Sequence, residues 1–172
     1  MRIYIFMDSS TEITIMGRNG DKEVSEEIIE TLARGIQKIC NSDTVYMQDV
    51  KSFVVTVIAR ARGGKIRRLN IADHGNGNGC FFGKDWITTD NFDQFAPYLG
   101  RLGAYFSSDA IVHLTHCSMG QNTALMKMFA FFFGVKVYAG TGLEAGAPYS
   151  FNTGDYVGCT PAGTIFKEVR RP

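Results

Sequence analysis

The chain has 172 residues, of which 45% are hydrophobic and 20% charged, with a formal net charge of +1. That profile fits a single soluble globular domain spanning 1–172 and gives no electrostatic reason to expect nucleic acid or an anionic membrane as partner. A chain of this length buries roughly 70% of its unfolded surface, so a full core forms without staples.

"MRIYIFMD" (1–8) is a short strand pattern without the apolar stretch of a signal peptide, and "MFAFFFGVKVYAG" is interrupted before it could span a bilayer. A soluble, cytoplasmic protein is the expectation, with export by a route lacking a cleaved signal left open. Cysteines at 40, 80, 117 and 159 show no paired spacing and read as free thiols.

In chain order, alternation predicts strands over 2–7 and 12–17. Asp21 caps a predicted helix over 22–40, with Val24, Ile28, Ile29, Leu32, Ile36 and Ile39 at helical spacing. A weak strand follows over 44–50. Residues 52–64 favour a helix stopped by Gly63–Gly64, and 65–73 a strand running into the glycine-rich "HGNGNG". A small β excursion occupies 80–87, turning at Gly83–Lys84. A helix is predicted over 88–106, capped near Thr89–Asp90 and open to a break at Pro97. Then come a strand over 110–117, a helix over 121–133 apolar enough to be buried all round, and a strand over 135–140. "DYVGC" and "TIFKEV", joined by "TPAG", form a C-terminal hairpin. Strands alternating with helices predict a three-layer α/β sandwich with a mostly parallel central sheet.

The stretch "AIVHLTHCSMGQN" (110–122) concentrates His113, His116 and Cys117. On a strand, Ile111, His113, Thr115 and Cys117 share one face and His116 points to the other. His116 and Cys117 therefore do not share an ion, and no second ligand pair completes a tetrahedral metal site. "GNGNG" (75–79) follows a strand but is not followed by a helix that would hold a phosphate. A G-x-C-x-G elbow fails because Thr115 and Met119 are not glycines, and a cysteine phosphatase would need an arginine where Thr123 stands. No metal or cofactor is expected.

His74 and Cys117 each end a predicted strand. Catalytic groups gather outside the carboxyl ends of parallel strands, so neighbouring strands would bring the pair together. A neutral imidazole can take the thiol proton and free the thiolate nucleophile. The backbone N–H groups of Gly75 and Cys117 would form an oxyanion hole. Taken singly, a strand-end cysteine also reads as a buried residue and His-Gly as a plain turn.

"LNIADHG", followed some 40 residues on by "AIVHLTHCSMG" and then "GVKVYAGTG" (134–142), resembles the caspase-like (clan CD) cysteine peptidases. The likeness is greatest to caspase-like domains of unassigned function in bacterial proteins. It implies His74 as general base, Cys117 as nucleophile and a protein or peptide substrate. His116 stands where that family usually has a small residue, and no processing linker is evident. Thr115, Tyr138 and Thr141 would wall the pocket for the substrate side chain, with Glu144 and Asp155 as candidates to recognise a basic group there. Asp73 is expected to point away from the His74 ring. A catalytically inactive caspase-like binding domain, or a non-proteolytic cysteine hydrolase on a flavodoxin-like sheet, remains as the alternative. The sequence leaves the oligomeric state open.

Overall fold

A computed structural model describes residues 10–17, 44–61, 63–145 and 151–168. The strand expected over 2–7 and the helix over 22–40 lie outside the described residues, as does Cys40.

The sheet grows from β-branched and aliphatic runs. It contains β1 (Ser10–Gly17), β2 (Thr44–Met47), β3 (Lys65–Ala72), β7 (Phe106–Thr115), β8 (Lys136–Gly140), β11 (Tyr156–Cys159) and β12 (Ile165–Glu168). Their spatial order is β12-β11-β8-β7-β3-β1-β2. The five strands from β2 to β8 run parallel, and β11 and β12 add antiparallel at one side. The expected terminal hairpin thus extends the central sheet. A three-stranded excursion, β4 (Gly75–Asn76), β5 (Gly79–Phe82) and β6 (Asp85–Thr88), and a two-stranded one, β9 (Glu144–Ala145) with β10 (Phe151–Asn152), stand apart from it.

Helices α1 (Val50–Ala61) and α3 (Thr123–Phe133) pack on the same face. The Phe53 ring of α1 meets Phe82 at 5.0 Å, and Phe82 stacks on Phe129 of α3 at 5.7 Å. Ile13, Ile15, Leu69, Ile71, Val112, Leu114, Val137 and Ala139 supply the sheet's contribution to this core, at most 2% exposed. Gly63 and Gly134 end the two helices in the left-handed region, at φ 77° and 70°.

Two expectations change. Residues 88–106 do not form one helix but a chain of short turns, with α2 (Ala96–Leu99) between 3-10 turns at Phe92–Gln94 and Gly100–Tyr105. Pro97 sits in the first turn of α2, and a Cβ on Gly103 would lie 3.4 Å from the Phe133 carbonyl, so close packing against α3 suits a tight irregular turn. The Thr89–Asp90 cap is also absent, since Asn91 fixes this bend by accepting from Thr88 N and donating to the Trp86 carbonyl. Helix α3, for its part, buries only Leu125, Met126, Phe129, Ala130 and Phe133, leaving Phe131 68% exposed.

Candidate active site

Adjacent strands β3 and β7 carry the two candidate groups to one sheet edge. Ala72 pairs with Thr115, and Asp73 N reaches the Thr115 carbonyl at 3.4 Å. His74 and Cys117 each lie two residues beyond that pair. His74 is exposed and Cys117 half-buried.

On the β3 side, Asp73 spends both carboxylate oxygens on backbone donors. Oδ1 accepts from His74 N and Oδ2 from Gly83 N, each at 2.8 Å. The carboxylate therefore fixes the turn and ties it to the excursion, and does not orient the His74 ring. Burial pushes its pKa up to about 6, partly offset by those two N–H groups. Phe81 N donates to the His74 carbonyl, making 74 and 81 a hydrogen-bonded pair. Gly75 opposite Cys80 is then a non-hydrogen-bonded pair, with its N–H directed away from β5.

On the β7 side, the chain passes from strand through Cys117 into a sharp turn and then α3. Ser118 adopts φ 57°, the sole non-glycine left-handed residue among the described residues. A 3-10 turn at Met119–Gln121 follows, and Asn122 caps α3 by accepting from Leu125 N. The sequence lacks a glycine elbow, yet the backbone makes a strained strand-to-helix turn directly after the cysteine. Ser118 N donates to the Gly142 carbonyl at 2.7 Å. The Cys117 thiol donates to the Glu144 carbonyl at 3.5 Å, and among the described residues no hydrogen bond joins it to His74.

The expected division of the histidines holds. His116 faces the helical layer, stacked on Phe82, with Nε2 3.0 Å from the Phe81 carbonyl. Full burial drives its pKa down to about 4, with His113 and His74 adding to the effect, so the ring is neutral near pH 7. His113 lies on the opposite face, its Nε2 2.8 Å from Glu144 Oε1 with both side chains 0% exposed. This close approach lacks hydrogen-bond alignment, and His113 Nδ1 has no hydrogen-bond partner.

Glu144 corrects an expectation. Its carboxylate is not offered to a substrate but turned inward, onto His113 and onto Gly140 N at 3.2 Å. The sequence placed it in a loop, where a lone carboxylate is usually solvated; the buried His113 opposite it reverses that. Asp155 does reach solvent, 3.5 Å from Lys167 Nζ. Its backbone is locked to Thr141, whose N and Oγ1 both donate to the Asp155 carbonyl. Tyr138 is 7% exposed, its ring edge-on to Phe166 at 5.7 Å, and Thr115 is 5% exposed. Of the pocket candidates, Thr141 and Asp155 therefore remain the accessible ones.

Two side chains just ahead of α3, without a signal in the strand pattern, tie this turn to both neighbouring loops. Gln121 Nε2 donates to the Thr141 carbonyl at 2.6 Å, and Asn122 Nδ2 to the Asn78 carbonyl at 3.3 Å. Asparagine ahead of a long apolar helix was the available signal for the cap.

Among the described residues no three His, Cys, Asp or Glu side chains are grouped to hold a metal ion, and no helix is long and apolar enough to cross a membrane. Comparison with known protein families and with curated proteins finds no match to this chain.

Proposed function

We propose that the chain is a caspase-like cysteine peptidase domain acting on a protein or peptide substrate. The observation that carries this reading is the parallel adjacency of β3 and β7, whose ends bear His74 and Cys117 at one edge. Support also comes from the mostly parallel sheet with antiparallel strands added beyond β8.

In this reading the His74 ring takes the Cys117 proton, and the thiolate attacks the scissile carbonyl carbon. The oxyanion receives hydrogen bonds from Gly75 N–H and Cys117 N–H. Collapse expels the amine, protonated by His74, and leaves a thioester on Cys117. Water, deprotonated by the same ring, then releases the acid and restores the thiol. The thiol has to leave the Glu144 carbonyl for this to begin. That resting contact is also what favours the second reading, an inactive caspase-like binding domain.

Peptide-library digestion, with Cys117→Ala and His74→Ala as controls, decides between them. Cleavage lost in Cys117→Ala and reduced at least 100-fold in His74→Ala is expected. No cleavage by the wild-type protein, with Cys117 still open to alkylation, overturns the peptidase reading.

A further inference from the structure

The buried pair beneath Cys117 has no part in the chemistry above. Taking two ionisable side chains out of water is costly, and an apolar pair of similar volume would fill the space as well. Here both are 0% exposed, and Glu144 faces two ways. Its carboxylate contacts His113 and Gly140 N, while its carbonyl accepts a hydrogen bond from the Cys117 thiol. Glu144 belongs to the two-residue strand β9, and the preceding Leu143 is 62% exposed, so the Glu144 side chain is the buried root of this loop. The same loop supplies the Gly142 carbonyl that holds Ser118 N.

We propose that His113 and Glu144 are positioning residues for Cys117: their buried pair roots the 141–145 loop so that the Glu144 carbonyl holds the thiol in place. This rests on reading Cys117 as the nucleophile. Breaking the pair from either side releases the loop, and with it the thiol from the Glu144 carbonyl.

The test is the rate of Cys117 alkylation by iodoacetamide at pH 7 in the full chain, for wild type, Glu144→Gln and His113→Gln. A charge effect alone would move the two variants in opposite directions, since one removes a potential negative charge and the other a potential positive one. Release of the thiol from the carbonyl speeds alkylation in both, about threefold or more. Rates that stay put in folded variants, or that move in opposite directions, overturn the proposal. So does a Cys117 unreactive in all three proteins.

Should His113→Gln not fold, wild type labelled at its histidines answers the same question. Capping Cys117 with methyl methanethiosulfonate should shift the His113 ring resonances, and an unmoved His113 overturns the proposal. Alkylation needs no peptidase activity, so a wild type that fails to cleave peptides sinks the peptidase reading without deciding this one.

Discussion

Gly75 stands so close to His116 that a Cβ on it would lie 2.9 Å from the histidine Cβ and 3.1 Å from the Gly79 carbonyl. Both are rigidly held, the first on the buried β7 extension and the second in β5. The His-Gly turn therefore rests directly on the strand that bears Cys117. Gly75→Ala is expected to cost about 1–3 kcal/mol, the usual range for an overpacked site. A urea midpoint measures it. If the proposed peptidase reading holds, displacement of the turn should also slow peptide cleavage about 100-fold or more where the protein stays folded, the effect of losing one oxyanion donor. Unchanged midpoint and rate would mean the turn does not depend on this contact.

Ser118 gives a prediction of opposite sign. A non-glycine residue at φ 57° carries a backbone cost of order 1 kcal/mol that glycine does not. Ser118→Gly relieves it at the expense of a more flexible unfolded chain, so stability should hold or rise by a few tenths of a kcal/mol. Ser118→Val, β-branched in the same conformation, should lose ~1–2 kcal/mol. Thermal unfolding of both variants checks the pair. A stable valine variant would show that the turn can relax.

His116 ties stability to pH. The folded ring takes a proton only near pH 4, against 6.5 for an unperturbed histidine. Between those values the unfolded state binds more protons, so stability falls as pH drops through the window and is level above it. The full span corresponds to roughly 3 kcal/mol. Asp73 acts in reverse: its folded pKa of about 6 exceeds the ordinary 3.8, so the fold holds the proton there and stability falls as pH rises across 3.8–6. The two slopes oppose each other between pH 4 and 6. His116→Phe, which keeps a ring against Phe82, should remove the histidine slope. Wild type should then lose ~2–3 kcal/mol of stability relative to the variant from pH 7.5 to 4. A gap independent of pH would refute the depressed value.

Much of this architecture is written locally. Short β-branched runs between turn signals marked β3 and most of β7, and glycine after an apolar helix marked the stops at Gly63 and Gly134. The turning of His116 away from Cys117 follows from strand geometry alone. What escaped the sequence reading depends on residues distant in the chain. Glu144 looks like a loop carboxylate until His113, 31 positions earlier, is seen opposite it. Ser118 carries no sign of its left-handed backbone, because the Gly142 carbonyl and the packing of Gly120 against Ala139 impose it. The 88–106 segment has helical residues but is shortened by Pro97 and by its fit against α3.

Asn122 joins the cap of α3 to the loop after His74, and its two functions can be separated. Oδ1 accepts from Leu125 N at 3.0 Å, while Nδ2 donates to the Asn78 carbonyl at 3.3 Å. Asn122→Ala loses both and should cost ~1 kcal/mol, the usual worth of a helix cap. Asn122→Asp keeps the acceptor and adds a negative charge at the helix N-terminus, worth ~0.3–1 kcal/mol, while removing the donor. The aspartate variant should therefore match or exceed wild type in melting temperature and still lose the bridge to Asn78. Hydrogen exchange at the 76–79 amides reads that loss directly: faster exchange in both variants, with stability lowered only in the alanine one. Equal protection in wild type and Asn122→Asp would mean that the loop is held by the β4–β5 pairing and by the Asn76 side chain, which accepts from Asn78 N at 2.8 Å, without help from Asn122.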